Sequence, residues 1–123
     1  MRRPSCMSLA LGLSLAGLLL VSACAQNESP PTPNAEFVGT PTNPAYPNLT
    51  VEFTDLSTGE IAEWRWDFNG DGMVDSTYQQ KTNPSYRYPS VNGSYTVTLT
   101  VAGPGGEDTE TKASYIRVAG CPG

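Results

Sequence analysis

Oxygen-bearing side chains recur at short, regular intervals in the stretch WRWDFNGDGMVD, residues 64–75. Counting from Asp67, Asn69 is third, Asp71 fifth and Asp75 ninth, with Gly72 sixth. This is the opening of a D-x-N-x-D-G calcium loop, whose alternate side chains turn inward on a hard cation. Gly72 permits the sharp bend that lets the Met73 carbonyl face the ion, and Asp75 would bind directly or through water. The twelfth position, where such a loop has its bidentate glutamate, is Tyr78. A calcium ion held by Asp67, Asn69, Asp71, Met73 and Asp75 alone would therefore bind weakly, with Kd of about 10⁻⁴ to 10⁻³ M. A second reading fits the same residues. Asp and Asn beside glycines are turn formers whose side chains accept main-chain N–H groups. The sequence leaves the two readings level.

Other chemistry is scarce. The sequence has no histidine, which removes Ser-His-Asp and Cys-His catalysis and histidine-ligated zinc. Asp67, Asp71 and Asp75 could in principle serve glycoside hydrolysis, but a sandwich of about one hundred residues leaves little volume for a substrate cleft. There is no GxGxxG or P-loop, and Gly103-Pro104-Gly105-Gly106 reads as a hairpin connection. The expectation is a protein without catalytic activity. Two aromatics are candidate ligand contacts. Trp64 stands near the start of its strand, where it either packs inward or stacks on a sugar ring or a proline-rich chain. Tyr46 sits in a proline-rich loop.

The loop must be carried by strands. Leu49, Val51 and Phe53 alternate with polar residues over 49–54, and Trp64, Trp66 and Phe68 share one face over 61–68. Residues 95–101, YTVTLTV, place four apolar side chains inward and three threonines outward. Further strands are expected at 35–38 and 109–118, with 39–48 a loop and 57–60 a turn. No segment keeps a helical period beyond one turn. Short strands separated by Gly, Pro and Asn turns predict an all-β antiparallel sandwich of about seven strands.

Ahead of that domain, Arg2 and Arg3 precede an apolar run over 9–21, the pattern of a secretory signal. The run is short of the roughly 20 residues a membrane span needs. Val21-Ser22-Ala23-Cys24 resembles the lipobox of bacterial lipoproteins, which implies cleavage after residue 23 and lipid on Cys24. Ala23-Cys24-Ala25 is also an A-x-A site, whose use would release a soluble secreted protein. The expected organisation is a signal peptide at 1–23, a proline-rich tether at 24–33, the sandwich at 34–119 and a tail at 120–123. Cys6 falls in the leader and Cys24 would carry lipid, so Cys121 is left as a free thiol or an intermolecular partner. Net charge is −5, and losing Arg2 and Arg3 with the leader makes the mature chain more acidic still. Such a surface repels nucleic acid and anionic lipid.

VEFTDLSTG (51–59), WRWDFNGDG (64–72), TNPSYRY (82–88) and GSYTVTLTV (93–101) occur in this order. Together they resemble a PKD domain, an immunoglobulin-like β-sandwich of microbial surface proteins and secreted enzymes. The resemblance spans about residues 34–119. It implies a non-catalytic spacer, a protein-contact surface or an aid to binding insoluble polymers, and it implies that Tyr86, Tyr88 and Tyr95 pack at the corner. Many members have a shorter W-D-F-G-D-G with no obvious ion. The sequence offers no enzyme domain to assist, so the expected role is a lipid-anchored spacer or protein-interaction module of the bacterial cell envelope, at the outer membrane or cell surface. Calcium is its only candidate cofactor, and its unknown partner would be a protein or a polysaccharide. The alternative is a module that grips polysaccharide or protein fibres through exposed aromatics.

Overall fold

A computed structural model describes residues 29–121. The leader, the lipobox and Cys24 lie outside these residues, so the expectations attached to them have no structural counterpart. Seven strands form: β1 (Phe37–Thr40), β2 (Thr50–Asp55), β3 (Glu63–Asp67), β4 (Ser76–Tyr78), β5 (Ser85–Arg87), β6 (Gly93–Gly103) and β7 (Gly106–Val118). They assemble as a three-stranded sheet, β1-β2-β5, and a four-stranded sheet, β4-β3-β6-β7, with every named pairing antiparallel. The expected all-β sandwich is what the chain forms.

Period-two alternation accounts for the core. Leu49, Val51 and Phe53 from one sheet meet Trp66, Val97, Leu99 and Val101 from the other, all essentially without solvent contact. Side chains on a pleated strand point alternately to opposite faces, so each of these runs buries every second residue. Trp66 lies between the sheets, its ring centroid 5.3 Å from Phe37, 5.6 Å from Phe53 and 5.4 Å from Phe68. Its indole N–H is buried with no hydrogen-bond partner among the described residues, an arrangement that costs roughly 1–3 kcal/mol.

The first strand begins later than its composition suggests. The apolar pattern points to 35–38, whereas pairing with β2 runs from Phe37↔Asp55 to Thr40↔Glu52. Glu36 main chain instead bonds Leu56 across the strand end, and Ala35 N–H is held by Asp108 Oδ2 at 2.7 Å. Gly39 and Thr40 are therefore strand, not loop. A side chain at Gly39 would collide with the Phe53 ring, which explains glycine in the strand's interior.

Beyond Thr40 the chain leaves β1's sheet and lies against the other one. Arg117 N–H donates to Thr42 O at 2.8 Å, Ala119 N–H to Pro44 O at 3.0 Å, and Tyr46 N–H to Ala119 O at 2.8 Å. Ala45 and Ala119 form a parallel bridge. Residues 42–46 thus close the last part of β7's outer edge. A bulge divides β7. Register with β6 shifts between Tyr95 and Val97, Ser114 takes φ 49°, and its N–H donates to Thr96 Oγ1 at 3.1 Å.

Candidate functional site

β3 delivers Asp67 to the rim of the sandwich, and the chain must then reverse into β4 within a few residues. Asp67 holds that reversal together. Its Oδ1 accepts N–H groups from Asn69 at 3.2 Å and Gly70 at 2.8 Å, and its Oδ2 accepts Gly72 N–H at 2.9 Å. The remaining side chains repeat the device: Asn69 Oδ1 accepts Asp71 N–H at 3.2 Å, and Asp71 Oδ1 accepts Met73 N–H at 2.9 Å. Asp75 closes the loop, its Oδ2 accepting Phe68 N–H at 2.7 Å while its own N–H donates to Trp66 O at 2.7 Å. Gly70 and Gly72 adopt φ of 74° and 85°, the left-handed region that side chains disfavour. A methyl at Gly70 would press on Thr96 main chain, so the loop lies directly on β6.

The five expected calcium ligands are thus brought into one tight loop, in which the side chains of Asp67, Asn69, Asp71 and Asp75 each accept at least one main-chain N–H. A carboxylate has about four lone-pair positions, and Asp67 uses three of them within the turn. Among the described residues, Asp71 and Asp75 each keep one oxygen without a main-chain donor. Among the described residues no three acidic or cysteine side chains are grouped so as to hold a metal ion. Met73 is 68% exposed at the tip.

Beneath the loop runs an aromatic chain. Phe68 stacks on Tyr86 at 4.8 Å, Tyr86 meets Tyr88 edge-on at 4.8 Å, and Tyr88 lies 4.9 Å from Tyr95. The Tyr88 hydroxyl donates to Phe68 O at 2.7 Å in a buried position, tying the β5 end to the loop's first residue. Burial, followed by the carboxylates of Asp75 and Asp71, raises the Tyr86 phenol above its ordinary value. Tyr88 is pushed well up, mainly by burial. The three tyrosines pack at the corner, as the resemblance implied.

Trp64 packs inward, the first of its two readings. It is 7% exposed, and its indole N–H donates to Asp55 Oδ2 at 2.9 Å in a buried bond. The ring has no open face for a sugar, because its alternation places it with Trp66 and Phe68 in the core. Tyr46, at 48% exposure, does present its side chain to solvent. Cys121 is exposed and has no disulfide partner among the described residues, with its N–H on Ser90 O at 3.2 Å.

The Trp64 contact leads to a second cluster, built around Asp55 of the VEFTDLSTG stretch. Asp55 is only 2% exposed, yet Lys81 Nζ lies 2.9 Å from its Oδ2 and 2.6 Å from its main-chain oxygen. Ser57 N–H donates to Asp55 Oδ1 at 3.0 Å, and Asp55 N–H donates to Asn83 Oδ1 at 2.9 Å. Burial alone would raise the Asp55 carboxyl, but hydrogen bonds from Ser57 and Lys81 outweigh it and hold the group below the usual range. One signal does point to it: continuing the alternation of Leu49, Val51 and Phe53 by one step puts residue 55 on the core face. A lone acid there requires partners, and they come from Trp64 in the other sheet, from Ser57 just past β2, and from Lys81 between β4 and β5.

The family model described as PKD domain matches residues 28–118, while no curated protein matches the chain. That family consists of immunoglobulin-like modules of extracellular and cell-surface proteins, typically without catalytic activity. With the match covering well over half of the sequence, and with two antiparallel sheets around the Trp66 core, the chain belongs to the PKD domain family.

Proposed function

We propose that the protein is a non-catalytic module of the bacterial cell envelope, anchored by lipid on Cys24 and acting as a spacer or protein-contact domain. One observation carries the reading. The side chains with the most chemical potential are committed to structure, since Asp67 accepts three main-chain N–H groups and Asp55 is enclosed by Trp64, Ser57 and Lys81. Calcium enters only as a weak stabiliser of the 67–75 loop, through the oxygens that Asp71 and Asp75 keep without main-chain donors. The alternative, capture of polysaccharide or protein fibres by exposed aromatics, rests on Tyr46 alone now that Trp64 is buried. The acidic surface disfavours nucleic acid.

The anchoring is tested by Cys24→Ser. Metabolic labelling with a fatty acid and detergent phase partition should both be lost, with the protein released in soluble form. Retention in the detergent phase by the Ser variant would refute anchoring through Cys24.

A further inference from the structure

Between the β6–β7 turn and its bulge, β7 is the edge of the four-stranded sheet, with β6 on one side and no described strand on the other. The cross-strand threonines reveal which way its main chain points. Thr100 and Thr109 hydroxyls lie 2.9 Å apart, and those of Thr98 and Thr111 3.3 Å apart. Such closeness belongs to the non-hydrogen-bonded pairs of an antiparallel ladder, whose N–H and C=O groups point away from each other. Glu107, paired with Ala102, is in phase with them. Glu107, Thr109 and Thr111 therefore aim their main-chain groups outward, along an edge of about 20 Å. Past the bulge the same edge is already occupied, because Arg117 and Ala119 bond the 42–46 segment. The free stretch continues an edge whose far end this fold itself covers with the 42–46 segment through main-chain bonds.

Its charge selects the addition. Four acids, Glu36, Glu107, Asp108 and Glu110, line the stretch against two cations: Arg65 bridges Glu107 at 2.6 Å, Lys112 is shared between Glu36 at 3.1 Å and Glu110 at 3.5 Å, and Asp108 accepts the Ala35 N–H at 2.7 Å, which leaves an excess of negative charge. A second copy fits badly: antiparallel pairing of two β7 edges centred on Thr109 sets Asp108 of one copy opposite Glu110 of the other, and like charges placed so repel.

We propose that the β7 edge from Gly106 to Lys112 is a docking strand for an extended, basic segment of a partner protein, which adds as a fifth strand. This rests on the protein-contact reading and gives its partner a chemistry. Main-chain bonds to Glu107, Thr109 and Thr111 supply affinity, and alternate lysines or arginines beside the carboxylates supply selectivity.

The test uses the full chain and two dye-labelled octapeptides, one alternating Lys and Thr, the other Glu and Thr. The Lys peptide should bind by fluorescence anisotropy, more weakly as salt rises, and the Glu peptide should not. Bound peptide should slow hydrogen exchange at the amides of Glu107, Thr109 and Thr111, which exchange rapidly in the free chain. Thr109→Pro deletes an outward N–H without touching the β6 ladder, so binding should weaken about tenfold or more. The double change Glu107→Lys with Glu110→Lys should weaken binding and flatten its salt dependence, and it stands in if the proline variant does not fold. Binding that survives both changes, or no binding of the Lys peptide, overturns the proposal. So does protection of these amides in the free chain, which would mean that residues 1–28 or a second copy already covers the edge. Membrane partition through Cys24 is read separately, so loss of the docking result leaves the anchoring result standing.

Discussion

Replacing Asp55 with alanine should be among the most damaging single changes outside the aromatic core. The carboxylate has two N–H partners that cannot easily recover elsewhere: the buried Trp64 indole at 2.9 Å and Ser57 main chain at 3.0 Å. Leaving a buried donor unsatisfied costs about 1–3 kcal/mol, and losing a bond to a charged acceptor about 1.5–3 kcal/mol. Lys81 contributes less, since its side chain is 57% exposed and returns to water when its partner goes. The sum is roughly 3 kcal/mol, which in a domain of this size lowers Tm by about 10–20 °C. Trp64→Phe isolates the indole bond. Measured by urea unfolding, the Asp55→Ala/Trp64→Phe double variant should be less destabilised than the two single changes added together, by about 1–2 kcal/mol. Additivity within about 0.5 kcal/mol would refute the idea that this bond ties the two sheets together. The acid limb gives a second check. Asp55 titrates lower in the folded chain than when unfolded, so its contribution is complete above about pH 4 and is lost as pH falls through the folded value. The alanine variant should show a flatter loss of stability below pH 4 than the native chain.

Tyr88→Phe leaves the buried Phe68 carbonyl without its donor and should cost about 1–2 kcal/mol, visible as a Tm lower by several degrees with near-unchanged far-UV circular dichroism. Gly103→Ala drives a methyl into the Glu60 carbonyl, so the lead into β3 must shift; about 1–3 kcal/mol of overpacking strain is expected in a denaturant titration. For calcium, thermal unfolding in excess EGTA is compared with about 10 mM Ca²⁺. Ten-fold excess over a millimolar Kd should add about 1.4 kcal/mol, and that gain should disappear in Asp71→Ala. No shift in the native chain would leave the loop as a hydrogen-bonded turn alone.

Strands with a strict period of two are legible in the sequence by itself. Leu49, Val51 and Phe53, then Trp64 and Trp66, then Val97, Leu99 and Val101, each label a buried face by alternation. The three-residue strands β4 and β5 are too short to show any period, and they are defined by what they pair with, Trp64↔Tyr78 and Val51↔Tyr86. The loop is legible as a motif but ambiguous in chemistry, because Asp and Asn oxygens at this spacing serve a cation or main-chain N–H groups equally well. The direction of those N–H groups depends in turn on φ at Gly70 and Gly72. Asp55 with Lys81 is hidden for a different reason. The contact joins residues 26 apart in sequence, and no local pattern records such a separation.

The pairing of residues 42–46 with the end of β7 has a mechanical consequence. The incoming chain meets the sandwich at the β6–β7 turn, where the Thr32 hydroxyl donates to Gly105 O, and it runs the same way as β7 to the opposite end at Ala45 and Ala119. Tension between residues ahead of Thr32 and those after Ala119 therefore acts along the strands. The bonds to Thr42, Pro44 and Ala119 are loaded in shear and must give way together, whereas a hairpin pulled from its open end would lose its bonds one at a time.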